Sequence, residues 1–150
     1  MGAKTTAGAT ATLTIILNNF AWTGVGDAGG ILPSAADGNI YLSLHSADPG
    51  VGGNQTTNEL SYTGYARIPV SRDGTQWTIA AGSASNAADL LGALCTAGSG
   101  VATFVGIGTD AVGAGNLLYR GTILIPVAGL TITPGITPKI VIGSAVVTES

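Results

Sequence analysis

Charge is what this chain has least of. Five Lys/Arg and eight Asp/Glu among 150 residues make it 9% charged, where a globular domain carries about 25%. So few cations, on a formal net charge of −3, leave nothing to neutralise a phosphate backbone, which excludes a general nucleic-acid binder. Aromatic residues are scarce as well, at 5%. The single cysteine, Cys95, excludes an internal disulfide. Neither it nor the single histidine, His45, stands at metal-ligand spacing, so no metal and no cofactor is expected. The hydrophobic stretch 122–147 is interrupted by Pro126, Pro134, Pro138 and Lys139, whereas a spanning helix needs roughly 20 unbroken apolar residues. It reads as strands, and no membrane partner is expected. Met1 to Lys4 lead into Thr, Ala and Gly, so the chain is also expected to carry no secretory signal.

What is present is apolar and small. Hydrophobic residues make up 45%, glycine contributes 24 positions and the mean hydropathy is +0.45, which excludes disorder. A chain of 14.7 kDa has room for one core and exposes roughly 7,000 Å² as a folded monomer. Spread over that area the charges come to about one per 500 Å², well below the charged surface that keeps a small free domain soluble. Much of the surface is therefore expected to be covered by other protein, as in an assembled structural component.

Residues 1–11 are small and polar and read as a flexible, extended arm. Leu13, Ile16, Leu17 and Phe20 then fall on one face of a short helix, which Gly24, Gly26, Gly29, Gly30 and Pro33 end. From Ile40 the period becomes two. Ile40, Leu42 and Leu44 alternate with Tyr41, Ser43 and His45, a strand with one face inward. Asp48-Pro49-Gly50 supplies turn chemistry before a polar loop that runs from Val51 to Thr63. Further strands are expected at Ala66–Val70, Trp77–Ala80, Ser85–Leu91, Val101–Ile107, Leu117–Val127, Leu130–Thr133 and Pro138–Thr148. Pro69 marks its strand as an edge. About eight strands with frequent turns and no second helix predict an all-β fold, a jelly-roll-like antiparallel β-sandwich occupying residues 12–150 as one domain.

Chemistry is hard to find. His45 with Asp48 three residues on suggests a base and its orienter, but no nucleophile accompanies them. The better reading is a strand-end histidine bonded to loop backbone. Asp27, Asp37, Asp48, Glu59, Asp73, Asp89, Asp110 and Glu149 are scattered singly, mostly beside turn formers, so no carboxylate pair for glycoside hydrolysis is visible. Gly106-Ile107-Gly108 and Gly113-Ala114-Gly115 lack the following helix that a phosphate cradle needs and read as loop glycines. Trp77 is expected in the core, and Tyr62 and Tyr65 at strand edges or interfaces. Arg67, Arg72 and Arg120 suit protein interfaces. No enzyme is expected.

One block is distinctive. It runs Ile40-Tyr41-Leu42-Ser43-Leu44-His45-Ser46-Ala47-Asp48-Pro49-Gly50, then Gly52-Gly53-Asn54-Gln55-Thr56, then Glu59-Leu60-Ser61-Tyr62-Thr63-Gly64-Tyr65-Ala66-Arg67. With Trp77, Ser85-Asn86-Ala87, Gly106-Ile107-Gly108-Thr109, the stretch Gly113 to Tyr119 and Gly135-Ile136-Thr137-Pro138, it resembles small virion proteins of tailed bacteriophages. These are often labelled tail fibre proteins, and some are similar to capsid cement (decoration) proteins of jelly-roll fold. The resemblance spans roughly residues 12–148. It implies a virion component assembled in the host cytoplasm. Because the chain lacks a repetitive shaft, the leading expectation is a cement protein on the capsid surface, for which the resemblance implies the major capsid protein lattice and further copies of the chain, as a dimer or trimer, as partners. The alternative is a tail fibre or baseplate-associated component for host adsorption. Lys4, Thr5, Thr6, Asn54, Gln55, Tyr62, Tyr65 and Arg67 are the candidate partner contacts, chosen for exposed backbone and adaptable polar groups.

Overall fold

The computed structural model describes residues 3–123 and 128–149. It contains one helix, α1 (Thr6–Asn18), and eleven short strands: β1 (Asn39–His45), β2 (Ile68–Ser71), β3 (Trp77–Ala80), β4 (Ser83–Asn86), β5 (Leu90–Leu91), β6 (Gly100–Ala102), β7 (Phe104–Gly108), β8 (Leu117–Thr122), β9 (Leu130–Ile132), β10 (Lys139–Ile140) and β11 (Val146–Thr148). The sheets are antiparallel wherever a register is defined. Their orders are β2-β1-β7-β8, β11-β4-β3, β6-β9 and β10-β5. The protein is thus mostly β with one N-terminal helix, and among the described residues these orders show no jelly-roll closure. The chain forms two compact units. The first gathers residues 1–39, 71–90 and 140–150, and the second residues 40–70 and 91–139.

In the first unit α1 packs on β3 and β4. Residues 6–11, expected as part of the arm, are helical. Thr5 explains the start: its hydroxyl accepts from Gly8 N at 3.2 Å as an N-cap. Ala9, Leu13 and Leu17, spaced i, i+4, i+8, form the buried stripe, so Ala9 is an apolar contact rather than a residue of a polar arm. Phe20 falls beyond the helix and is exposed. Asn19, at φ 54°, ends the helix in the left-handed conformation. Its side-chain amide donates to Ser34 O, Ala36 O and the Asp37 carboxylate, and its Oδ1 accepts from Ser34 N and Oγ. Arg72 supplies the carbonyls of the last turn, donating from Nε to Ile16 O and from Nη2 to Ile15 O, both at 2.7 Å. The orphan acceptors of a helix C-terminus thereby gain a cation, which its dipole favours.

β3 and β4 form a hairpin whose two-residue turn, Ala81-Gly82, has φ of 51° and 77°. Positive φ at both positions is the requirement of a primed turn matching strand twist. Gly82 N donates to Thr10 Oγ at 2.8 Å, which ties the turn to α1. Trp77 is 3% exposed, the core residue it was expected to be. The strand expected over Ser85–Leu91 divides into β4 and β5, because Asn86 turns its amide onto Ala88 O and Val141 O. Likewise Pro138–Thr148 becomes β10 and β11 around a turn closed by Ser144 N to Val141 O.

In the second unit β1 lies between β2 and β7. Leu42 pairs with Ile107 and Leu44 with Val105. Leu42, Leu44, Leu60, Ile68, Val70, Ala102, Ile107 and Ile132 are buried. Pro69 does sit on an edge strand, β2. Cys95 is fully buried, its thiol directed at Ala97 O and Gly98 O. The strand expected over Leu117–Val127 runs as β8 to Thr122, and residues 124–127 lie outside those described. One expectation fails in an informative way. β1 is buried on both faces from Leu42 to His45, so Ser43 and His45 do not face solvent.

Candidate functional site

The polar face of β1 is covered by its own following loop. After His45 the chain crosses the sheet, where Asp48 meets Arg120 of β8 at 2.5 and 2.6 Å. It returns alongside β1, where Leu60 N donates to Leu44 O. What this flap encloses is a continuous buried polar network.

His45 lies at its base, 0% exposed. Nδ1–H donates to Thr57 O at 2.8 Å, which leaves Nε2 to accept from the Ser43 hydroxyl at 2.8 Å. The imidazole is neutral in this arrangement. Burial pushes its pKa below the ordinary 6.5, partly offset by the Thr57 carbonyl and the Glu59 carboxylate, while Arg67 adds to the lowering. A serine on a histidine nitrogen is the geometry of a nucleophile and its base. Here both side chains are 0% exposed, so no substrate carbonyl reaches Oγ and the pair acts as a structural tie. Asp48 does not orient the histidine. Its carboxyl is held below the usual range by the Gly50 N–H and by Arg120.

Gln55, also 0% exposed, plugs the middle of the network. Its Oε1 accepts from Asp110 N at 2.9 Å, its Nε2 donates to Asp110 O at 3.2 Å, and its backbone N–H donates to Gly115 O at 3.1 Å. Beside it Arg67, 7% exposed, makes a bidentate pair with Glu59: Nε to Oε1 and Nη2 to Oε2, each 2.7 Å. The rest of the guanidinium donates to Asp110 O at 2.9 Å and Gly113 O at 2.7 Å. The Glu59 hydrogen bonds raise the pKa of Arg67 further above its ordinary value. Tyr65 completes the network, donating from its hydroxyl to Glu59 Oε1 at 2.8 Å and accepting from Leu44 N at 3.1 Å. Its pKa is raised, chiefly by burial. The 48–58 flap and the 109–116 loop are therefore fastened together from within.

The glycines make this possible. Gly106 and Gly108 lie in β7, buried, rather than in a loop. A Cβ on Gly106 would stand 2.7 Å from His45 Nε2 and 2.9 Å from Ser43 Oγ, and one on Gly108 would stand 2.2 Å from Gln55 Cδ. Gly115 is constrained in the same way, at 2.3 Å from Gln55 Oε1. These residues provide clearance for buried polar side chains and not a phosphate cradle.

The candidate contacts divide accordingly. Gln55, Tyr62, Tyr65 and Arg67 come together in the second unit, but as its interior. Tyr62 donates to Ala93 O at 3.0 Å and meets Tyr65 edge-on, ring centroids 5.3 Å apart. Neither ring is placed as an open stacking platform, since Tyr62 is buried and Tyr65 half-buried. Asn54 is half-buried, and its Oδ1 accepts from Thr56 N and Thr56 Oγ. Lys4, Thr5 and Thr6 are exposed in the first unit, where Lys4 pairs with Glu149 and Thr5 caps α1. Arg72 and Arg67, expected at interfaces, hold the helix end and the flap. Sequence reasoning missed Ser43, Glu59 and Asp110 as partners. The available signal was a run of polar residues at the inward positions of β1, opposite two strand glycines.

A family model described as podophage GP4 fiber I protein gp80 matches residues 30–148. The chain belongs to this family of phage fibre proteins. No curated protein matches it. The fibre protein is thus a structural component of a phage virion, and its family is not known for enzymes. The matched span holds the whole distinctive 40–67 block and begins after α1. Of the two virion readings, the match favours the fibre over the capsid cement.

Proposed function

We propose that this fibre protein is a subunit of the phage tail fibre or of the tail structure bearing it, and serves host adsorption in association with further copies of itself. The family match across residues 30–148 carries the reading. The chemistry agrees with it: the polar side chains that could perform catalysis are consumed in holding two loops rigid, which suits a protein that transmits contact rather than turns over a substrate. Capsid cement, bound to the major capsid protein, keeps one supporting observation, the charge-poor surface. A fibre assembled from many copies accounts for that equally well.

Deleting the gene from the phage tests the proposal. Expected are filled heads of normal heat tolerance that adsorb poorly to the host, with adsorption restored when the protein is supplied during growth. Heads that burst early on heating, on particles adsorbing normally, would place the protein on the capsid instead.

A further inference from the structure

A cleft of about 550 Å³ opens in the first unit between α1 and the segment that follows it. Thr6, Thr10 and Thr14 line it from the helix, Trp22 and Thr23 from the chain beyond, and alanines complete its walls. Its size is that of a small-molecule site, roughly 300–1,000 Å³. The family match begins at residue 30, and every lining residue except Ala81 precedes it. The cleft therefore lies in a part of the chain that the match does not account for. Its aromatic wall is fixed in place. Trp22 N donates to Ile31 O and Trp22 O accepts from Ile31 N, both at 2.9 Å. Asp27 closes the turn between them, its Oδ1 accepting from Gly29 N at 2.8 Å and Gly30 N at 2.9 Å. A Cβ on Gly30 would stand 2.0 Å from Trp22 O, so glycine is what lets the two segments meet. A ring carried on a pinned backbone loses little further freedom when a ligand covers it.

The chemistry of the cleft selects its occupant. No ionisable side chain lines it, so a charged ligand would give up hydration without gaining a partner. The hydroxyls of Thr6 and Thr23 and the indole N–H of Trp22 make no hydrogen bond among the described residues. Thr10 Oγ accepts from Gly82 N at 2.8 Å, which leaves its proton to donate. Thr14 Oγ donates to Thr10 O at 2.7 Å, which leaves its lone pairs to accept. Donors and acceptors thus stand together beside a half-buried indole. Threonine is a poorer helix former than alanine, so helix formation does not explain three of them spaced i, i+4, i+8. A purely apolar ligand would strip these hydroxyls of water and leave them unpaired. A neutral sugar supplies both surfaces required, hydroxyls that donate and accept and a face of C–H groups to cover the ring.

We infer that the cleft between α1 and Trp22 binds a neutral saccharide, with the indole as its stacking surface and the threonine hydroxyls as its polar partners. This rests on the adsorption reading only for where the sugar is met, on the host surface. The test exposes purified full-length protein to an array of neutral oligosaccharides ending in glucose, galactose, mannose, rhamnose or N-acetylglucosamine, with sialylated and uronic-acid oligosaccharides alongside. Hits are titrated by tryptophan fluorescence. Trp22 and Trp77 are the two tryptophans and Trp77 is 3% exposed, so a shifted emission reports on the cleft. Expected is saturable binding of at least one neutral oligosaccharide and none of the acidic ones. Trp22→Ala should weaken it roughly tenfold or more, read on the array. Ala7→Leu, which fills the cleft from an exposed helix position and should keep the wild-type melting temperature, should weaken it as well. Absence of neutral-sugar binding, a preference for acidic sugars, or an affinity unchanged by Ala7→Leu would overturn the proposal. Adsorption separates the cleft from the tail role. Sugar binding by a protein whose deletion leaves adsorption normal would refute only the role; a protein that binds no sugar but whose deletion abolishes adsorption would refute only the cleft.

Discussion

Gln55 fills the space that any side chain on Gly108 would need, with its Cδ 2.2 Å from where a Cβ would stand. Gly108→Ala should therefore destabilise the fold by about 1–3 kcal/mol, the usual range for overpacking a filled interior. Gly121→Ala, on the adjoining strand with nothing within 4 Å of its Cβ, should change stability by less than about 0.5 kcal/mol. Urea unfolding of the two variants measures the difference, and equal midpoints would mean Gln55 is not held there.

Arg67 and Glu59 depend on each other. Glu59→Gln leaves a guanidinium 3% exposed facing a neutral amide, which should cost about 3–5 kcal/mol. Replacing both by apolar residues of similar size should cost less than the single change, because no uncompensated charge remains. A double-mutant cycle by chemical denaturation checks this, and additive costs would show that the pair does not interact.

His45 makes the fold acid-sensitive in a defined window. Burial lowers its pKa from 6.5 in the folded chain, so the unfolded state binds the proton more readily. Its stabilising contribution is complete above about pH 6.5 and is lost as pH falls from there towards the lowered value. Melting temperature recorded from neutral to mildly acidic pH should decline across this window, and His45→Gln should flatten the decline. The lowered carboxyls of Asp48 and Asp73 start from 3.8, so their effect falls at more acidic pH and does not mask it.

Ala81 occupies the left-handed region at φ 51°, where a Cβ is penalised by about 1–2 kcal/mol. Ala81→Asn should raise stability by about 0.5–1 kcal/mol, since asparagine tolerates that conformation and favours the first position of a primed turn. Differential scanning calorimetry would register this as a higher melting temperature. A lower one would mean the turn is not of the primed type.

Much of the framework was legible in the sequence. Period-two alternation located β1 and β7, Pro69 marked an edge, and the 40–67 block pointed to a phage virion. Chain pattern failed where the reason for a residue lies across the sheet. Ser43 and His45 look like solvent-side positions until Gly106 is found opposite Ser43, giving a loop room to lie over them. Polar residues in the 48–67 stretch suggest partner contacts by composition, but Gln55 and Arg67 are recruited inward by carbonyls at Asp110 and Gly113, more than forty positions away. The start of α1 was obscured because Ala9 carries no more hydrophobic signal than its neighbours, although Leu13 and Leu17 extend its stripe.

A flap clasped from its underside separates two demands that usually compete for the same residues. Its hold on the sheet depends on Gln55 and the Glu59–Arg67 pair, whereas what it presents outward depends on Val51. A substitution at the outward residue therefore leaves the clasp beneath it, and with it the architecture, untouched.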